Sequence, residues 1–270
     1  MRLWQQEEYI VRKWNCFYIL LLLIISGCGQ NDDPASNSDN KLTVAAAADL
    51  VPAFNDIGEK FTEKTGTEIT FSFHSTGQLA DQIENGAPFD IFAAANVSFI
   101  DRLREAGFIV EGTQATYAYG KLGLTTLKDS GIKLDSLEDL KAEEIVNISI
   151  ANPEHAPYGM AAKEILENAG VWGEVKDKVV YGRNISDALV QVETGNAEVG
   201  LIAHSLAMSQ EDTFDFLYID EELYEPLEQS IAIIEGSDQE ELAKVFMAFV
   251  LEAEGKDILE SHGFETPEGE

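Results

Sequence analysis

Residues 67–86 read TEITFSFHSTGQLADQIENG, and the change of pattern inside this stretch decides the fold class. Apolar and polar residues alternate over 67–73, which predicts a β-strand, whereas Leu79 and Ile83 repeat at the spacing of an α-helix. Between them lie Ser75–Gly77, three small residues rich in hydrogen-bond donors. Such residues cap helix starts, but the free N–H groups and the helix dipole beside them also form a site for a small oxyanion. A single junction leaves both interpretations open.

The strand-to-helix unit recurs along the chain. Predicted strands lie at 41–48, 67–73, 89–95, 146–151, 178–182, 198–205 and 229–236, and helical patterns separate most of them. This alternation predicts an α/β architecture with mostly parallel sheets, and so many strands favour two lobes over one sheet. The acidic and aromatic segment 211–228 is predicted to be a surface connection, and 239–264 to form one or two final helices.

Four of the predicted junctions share small or polar residues. They read AAAADL at 45–50, FHSTGQL at 73–79, NPEHAPYG at 152–159 and GRNIS at 182–186, and only the last contains Arg or Lys. Ligands of open α/β sheets bind beyond the carboxyl ends of the strands. Two facing lobes would therefore bring these junctions to a shared cleft, and their recurrence favours the oxyanion interpretation.

The charge of the chain excludes several partners. Its 270 residues include 49 acidic and 18 basic ones, a formal net charge of −31. Such a surface repels nucleic acid and anionic lipid headgroups, so we expect no nucleic-acid partner. An anionic ligand must then be held by local dipoles against the field of the whole protein.

The N-terminal segment predicts the location of the protein. Arg12 and Lys13 precede an apolar run of ten residues at 16–25, which has the length of a signal-peptide core. The following ISGC resembles the lipobox of bacterial lipoproteins, which predicts a signal peptide at 1–27 and lipid attachment at Cys28. Residues 28–40 are small and polar and are predicted to be a flexible tether. The mature protein is thus expected to be extracytoplasmic and anchored to the cell membrane through an N-terminal lipid.

Longer motifs identify a family resemblance. LTVAAAADL at 42–50, the run 72–96, NPEHAPYGMAAKEIL at 152–166 and HGF at 262–264 together resemble the substrate-binding protein of bacterial molybdate ABC transporters. The resemblance implies a type II periplasmic-binding-protein fold, with lobe 1 at 41–118 and 232–270 and lobe 2 at 119–231. It also implies a monomer without a cofactor that binds molybdate or tungstate and delivers it to an ABC permease and its ATPase.

The resemblance places the family's binding groups on particular residues. The Ser of the first motif falls on Asp49, and the binding hydroxyl of the second falls on Thr76, with Ser75 beside it. Backbone N–H groups of the third and fourth motifs fall on Tyr158 and Ile185. Some members also donate a Tyr hydroxyl where this chain has Ala203, and the adjacent His204 is a candidate to replace it.

Asp49 departs from the family pattern. Molybdate offers only acceptors near neutral pH, so an inward carboxylate would repel it by several kcal/mol in a dry site. Either Asp49 turns back to cap its own helix, or the ligand carries a proton, as phosphate does, which Asp49 accepts. The sequence favours the cap, because the remaining motifs follow the molybdate pattern.

The sequence gives weaker support for catalysis or for metal binding. Glu154 and His155 suggest an acid–base pair, but no orienting group or nucleophile accompanies them in sequence, and we expect no enzyme. The acidic runs near Glu221 and Glu252 lack EF-hand spacing and are predicted to be solvated faces, with no metal site beyond the oxyanion itself. The alternatives that stay open are the same scaffold binding phosphate or sulfate and, more remotely, a surface hydrolase or an adhesive lipoprotein.

Overall fold

The computed structural model describes residues 41–268. The predicted signal peptide, tether and lipid-attachment residue Cys28 lie outside the described residues. Within 41–268, none of the helices combines the length and the apolar character that crossing a membrane requires.

The first sheet contains five strands in the order β2-β1-β3-β10-β4. Their bounds are β1 Lys41–Ala47, β2 Glu68–His74, β3 Ile91–Ala94, β4 Ala115–Gly120 and β10 Leu227–Ile233. Strands β2, β1 and β3 are parallel, and β10 runs antiparallel to both of its neighbours. The carboxyl ends of the parallel strands therefore lie at one edge of this sheet.

The second sheet has the order β7-β6-β8-β5-β9. It is built from β5 Leu122–Leu127, β6 Ile148–Ala151, β7 Val179–Gly182, β8 Val199–Ala203 and β9 Phe214–Tyr218. Only Lys121 separates β4 of the first sheet from β5 of the second, and a short turn at Glu221–Leu223 leads from β9 back to β10. The chain thus crosses twice between two sheets, which gives the molecule its two lobes.

Helices flank both sheets and begin at the strand ends. Their bounds are α1 Val51–Thr65, α2 Thr76–Glu84, α3 Val97–Glu105, α4 Pro157–Asn168, α5 Trp172–Val175, α6 Ile185–Glu193, α7 His204–Met208, α8 Glu240–Leu251 and α9 Ala253–Ser261. In α1, Phe54, Ile57 and Phe61 recur at helical spacing and are buried. That helix stops at Gly66, whose φ of 72° is the left-handed conformation that glycine adopts without strain.

The predicted elements are confirmed in most places. The strands predicted at 41–48, 67–73, 89–95, 146–151, 178–182, 198–205 and 229–236 are present, and 239–264 forms two helices. The prediction for 211–228 was wrong in part, because Phe214–Tyr218 pairs with β5 as an edge strand. The strand was mistaken for a surface connection because one of its faces is solvated: its exposed positions are polar or carry the hydroxyl of Tyr218.

Two aspects of the lobe organisation differ from expectation. The sequence patterns did not predict β4 and β5, the strands that carry the first crossing. In addition, β10 pairs with the first sheet from Leu227 onward, whereas the predicted second lobe extends to residue 231. We therefore propose lobe limits that follow the sheets, with the crossings at Lys121 and just before Leu227.

Candidate ligand-binding site

The turn that follows β1 lies where the two lobes meet. Residues Ala48–Leu50 form a single 3-10 turn, and all three are buried. The Ser186 hydroxyl, in the first turn of α6, donates a hydrogen bond to the Ala48 carbonyl at 2.8 Å. The Ser205 hydroxyl, in the first turn of α7, donates to the Asp49 carbonyl at 3.1 Å. The end of a first-lobe strand is therefore held directly against two helix starts of the second lobe.

A second contact between the lobes forms at the start of α2. The Gly77 amide donates to the His155 carbonyl at 2.8 Å, and Ser75 Oγ lies 2.7 Å from His155 Nδ1. A Cβ at position 77 would lie 2.6 Å from the His155 carbonyl oxygen, which is closer than packed atoms approach. Glycine is therefore required here for the two lobes to meet.

Thr76 is buried at this contact and keeps a free donor. Its Oγ1 accepts a hydrogen bond from the Ala95 amide at 3.1 Å, and 1% of the residue is exposed. Its hydroxyl proton finds no acceptor among residues 41–268. The side chain can therefore donate to a ligand without giving up the contact that orients it.

The two amides that the family resemblance selected have unused donors. Tyr158 and Ile185 lie in the first turns of α4 and α6 and are buried. The side chain of Asn184 caps the Asp187 amide at 2.8 Å. Within the described part of the chain, the amides of Tyr158 and Ile185 have no hydrogen-bond acceptor, as is typical of the first donors of a helix. Both can bind an anion, aided by the positive end of a helix dipole.

The cap predicted for Asp49 is wrong. Neither the 3-10 turn nor α1 is capped by a side chain. The carboxyl is fully buried and Oδ2 accepts from the Tyr158 hydroxyl at 3.0 Å and from Gln229 Nε2 at 2.6 Å. The reason is tertiary, because two donors from distant parts of the chain compete successfully with the local amides. The other oxygen, Oδ1, is buried without a hydrogen-bond partner in residues 41–268.

Burial controls the ionisation of this cluster. Burial raises the pKa of Asp49 from 3.8 to about 6, although the hydrogen bonds from Gln229 and Tyr158 and the backbone amide of Asp49 itself act in the opposite direction. Burial, followed by the charge of Asp49, also raises the pKa of the Tyr158 and Tyr117 phenols well above their ordinary value. Both phenols are therefore neutral donors at physiological pH.

Four residues at this site were missed by the sequence analysis. Gln229 donates to Asp49 and to the Tyr158 hydroxyl at 3.0 Å, and it accepts from the Tyr117 hydroxyl at 2.7 Å. Gln229 and Tyr117 are thus two of the missed residues, and the hydroxyl residues Ser186 and Ser205 are the other two. A polar residue at the start of the apolar run QSIAII was a usable signal for Gln229. Ser186 is the last residue of the junction GRNIS and Ser205 follows the candidate His204, so both could have been included among the candidates.

Other predicted candidates lie elsewhere or find different partners. His204 does not face Asp49, because its Nε2 lies 2.6 Å from the Tyr218 hydroxyl and its Nδ1 lies 3.1 Å from the Gly263 carbonyl. From that strand end, Ser205 is the residue that reaches the cleft. Glu154 is exposed, and no hydrogen bond joins it to His155 in the described structure. Ser75 and His155 could in principle form a nucleophile and base, but no carboxylate within 41–268 is hydrogen-bonded to that histidine.

The ligands that a metal ion needs are not grouped in the described part of the chain. Over the residues that the structure describes, no group of three or more His, Cys, Asp or Glu side chains is arranged to hold a metal ion. The chemistry available at the lobe contact consists of amides, hydroxyls and one buried carboxyl. Donors of this kind suit a small oxyanion.

Known proteins share this arrangement of lobes. The chain is 33% identical over 226 residues to the molybdate-binding protein ModA of Rhodobacter capsulatus, covering 84% of this chain and 88% of that protein. The corresponding protein of Azotobacter vinelandii is also 33% identical, covering 83% and 89%. The solved structure of the periplasmic molybdate-binding protein from A. vinelandii superposes with a TM-score of 0.79 at 25% identity, over 84% of this chain and all of that one.

More distant structures show the same fold. The sulfate-binding protein SubI of Mycobacterium tuberculosis has a TM-score of 0.70 at 14% identity, over 85% of this chain and 88% of that chain. Residues 42–265, nearly all of the described structure, match the family of bacterial extracellular solute-binding proteins. With two relatives at 33% identity across most of its length, the chain belongs to this solute-binding family, and molybdate-binding proteins are among its members most similar to it.

Proposed function

We propose that this protein is an extracytoplasmic solute-binding protein that captures molybdate or tungstate and delivers it to an ABC permease with its ATPase. The observation that carries the proposal is the set of unused neutral donors where the lobes meet. These donors are the Thr76 hydroxyl and the amides of Tyr158 and Ile185. The names of the relatives indicate molybdate as the solute.

Binding is expected to proceed with lobe closure. The oxyanion first meets the first lobe at Thr76 and Ser75 and at the turn around Asp49. Closure then brings the Tyr158 and Ile185 amides onto its other side, so the bound anion stabilises the shut form. The direct contacts from Gly77 to His155 and from Ser186 to Ala48 support a closure in which the lobes touch around the ligand.

The buried carboxyl favours a second candidate ligand. Phosphate carries a proton near neutral pH, and an ionised Asp49 could accept that proton through Oδ1, which has no protein partner in the described residues. This is the same scaffold and the same site with a different oxyanion. Sulfate carries no such proton, so Asp49 gives no reason to prefer it.

The membrane anchor and the delivery step belong to the same proposal. The lipobox-like sequence ending at Cys28 and the polar stretch 29–40 support attachment of the folded body to the cell membrane by a tether. Mass spectrometry of the protein purified from membranes tests the anchor: we expect a mature chain that begins at a lipid-modified Cys28. A mature chain with an unmodified N-terminus would contradict it.

A panel of oxyanions tests the ligand. Molybdate, tungstate, sulfate and phosphate are added separately, and the melting temperature and the binding heat of the chain are measured. A ligand present at a hundred times its dissociation constant adds about 2.7 kcal/mol to the free energy of unfolding. We expect this stabilisation from molybdate and tungstate. Stabilisation by phosphate alone would favour the second candidate, and no response to any oxyanion would refute the oxyanion function.

The Thr76→Ala variant tests the position of the ligand. Loss of a hydrogen bond to a charged group should weaken molybdate binding by roughly 1.5 to 3 kcal/mol, which is about 10- to 150-fold in dissociation constant. Thr62→Ala is the matched control, because Thr62 also makes one side-chain hydrogen bond, to the Thr67 carbonyl, but lies in the last turn of α1. Calorimetry that finds equal affinities for the two variants would rule out contact between Thr76 and the ligand.

A further inference from the structure

We propose that Asp49 determines which oxyanion the cleft accepts by entering the complex as a neutral carboxylic acid whose Oδ1–H donates to a ligand oxygen. This inference rests on the proposed function and gives one residue of the site a specific chemical role. Its consequence is that capture of a fully deprotonated oxyanion takes up one proton.

The hydrogen bonds of Asp49 distinguish its two oxygens. Oδ2 accepts from two neutral donors, the Tyr158 hydroxyl and Gln229 Nε2. Oδ1 is buried and has no partner in the described residues. Nearly all buried polar atoms in folded proteins are hydrogen-bonded, so an unpartnered one calls for an explanation. Four buried side-chain atoms of the described residues have no partner, and Asp49 Oδ1 is the one carboxyl oxygen among them. In a cleft that binds a solute, its partner can be an atom of the solute.

The proposed solute offers acceptors only. An ionised carboxylate also has only acceptors, so two such groups side by side repel and form no hydrogen bond. A proton on Oδ1 turns this oxygen into a donor and removes the repulsion. The direction of the pKa shift agrees with this role, because burial already raises the pKa of Asp49 in the protein without ligand.

Other groups near the site do not supply this proton. Elements β2, α1, α6 and α7 pack against the Ala48–Leu50 turn, and α4 and β10 contact Asp49 through Tyr158 and Gln229. Ionisable side chains on or beside these elements have other environments. His74 is exposed, Asp187 pairs with Arg183 at 2.6 Å, and His204 bonds Tyr218. His155, just before α4, has its Nδ1 2.7 Å from Ser75 Oγ. The side chains hydrogen-bonded to the Asp49 carboxyl are Tyr158 and Gln229, its own backbone amide also stabilises it, and the buried Tyr117 is linked to it through Gln229. The hydrogen-bond partners of the carboxyl are therefore amides and a phenol, and none of them is charged.

The pH dependence of molybdate binding tests the proposal. Calorimetric titrations of the full chain with sodium molybdate are run at several pH values from about 6 to about 8. With a pKa of about 6, we expect affinity to fall roughly 50-fold over this range and tenfold per pH unit at its upper end. At about pH 8, titrations in buffers of different ionisation enthalpy should show uptake of about one proton per bound molybdate.

Two variants separate Asp49 from the histidines near the cleft. In Asp49→Asn an amide donor replaces the acid, and in Asp49→Ser a hydroxyl does, so both should bind molybdate with an affinity that changes less than about twofold across the same pH range. Neither should take up a proton. Histidines change charge in this range of pH, so a pH dependence that persists in both variants would assign the proton to a histidine and overturn the proposal.

The remaining outcomes are equally decisive. A wild-type affinity that is constant with pH, without proton uptake, overturns the role of Asp49 but leaves the molybdate function intact. Binding of phosphate and not of molybdate also overturns it, because the proton then comes from the ligand. Absence of binding by every oxyanion, in a protein that is folded by circular dichroism, overturns this inference together with the proposed function.

Discussion

The Asp49→Asn variant measures how burial of this carboxyl changes the stability of the fold with pH. Asn keeps the size of the side chain and an oxygen that can accept from Tyr158 and Gln229, but it cannot ionise. The comparison of wild type and variant therefore isolates the ionisation of Asp49 from that of the other 48 acidic residues, which the two proteins share.

The magnitude follows from the shift in pKa. Burial raises the pKa of Asp49 from 3.8, the value expected in the unfolded chain, to about 6 in the fold. Because each pKa unit corresponds to 1.36 kcal/mol, the full contribution is about 3 kcal/mol. The folded protein binds this proton more tightly than the unfolded chain, so the contribution is fully present below pH 3.8 and is lost as the pH rises through about 6. Between about pH 5 and pH 8 the loss is about 1.4 kcal/mol.

The assay is urea-induced unfolding at 25 °C without ligand, at several pH values from about 5 to about 8. Lower pH is avoided because so acidic a protein loses solubility as its carboxylates become protonated. The measured quantity is the free energy of unfolding of Asp49→Asn minus that of wild type at each pH. We expect this difference to increase by about 1.4 kcal/mol in favour of the variant across the range. Asp212→Asn, which changes an exposed aspartate, is the matched control and should give a constant difference.

Two results would refute the reasoning. A difference for Asp49→Asn that is as constant as the control would mean that burial leaves the ionisation of this carboxyl unchanged. A difference that decreases with pH would mean that the fold stabilises the ionised form, because the hydrogen-bond donors on the carboxyl then outweigh its burial. An increase with pH of the unfolding free energy of Asp49→Ser relative to wild type would show that the effect is not a special property of the asparagine amide.

Two further predictions concern the contacts between the lobes. Gly77→Ala introduces a Cβ that would lie 2.6 Å from the His155 carbonyl oxygen, so molybdate affinity should fall at least about tenfold because closure of the lobes is obstructed. Titration calorimetry measures this loss. The control is Gly173→Ala, where the added carbon meets no packed neighbour within 4 Å, and this variant should bind molybdate with normal affinity. Tyr158→Phe removes a donor from Asp49 Oδ2 and should cost roughly 1.5 to 3 kcal/mol of unfolding free energy at neutral pH. Because that donor stabilises the ionised carboxyl, its loss should also move the fall in molybdate affinity to higher pH, and a fall at unchanged or lower pH would contradict this assignment.

The site was only partly predictable from sequence, because some of its groups are fixed by local structure and others depend on how the two lobes pack. The family resemblance selected Thr76, Tyr158 and Ile185. The amides of the last two are free because a helix start leaves its first amides without a partner whatever the rest of the fold does. The contacts of His155 with Ser75 and Gly77 could not be predicted, because they depend on how the lobes meet. The same limitation explains why the sequence offered only Glu154 as a neighbour of His155 and could not show its contacts with Ser75 and Gly77.

The sequence by itself determined the local structure of this protein. Alternating residues in 67–73, the helical spacing of Leu79 and Ile83, and the small polar residues between them set strand, helix and junction, because hydrogen bonds and side-chain periodicity within a few residues decide these elements. Edge strand β9 and the crossing strands β4 and β5 were the exceptions, since their formation depends on partners far along the chain.

Only the tertiary structure decided the environment of Asp49. Its hydrogen-bond donors Tyr158 and Gln229 lie 109 and 180 residues away in sequence, so no local pattern could predict that they would displace the helix cap. The reason is physical: ionisation of a carboxyl depends on burial and on the donors that surround it in space. Those are set by the packing of two lobes against each other, and a linear sequence does not show that packing.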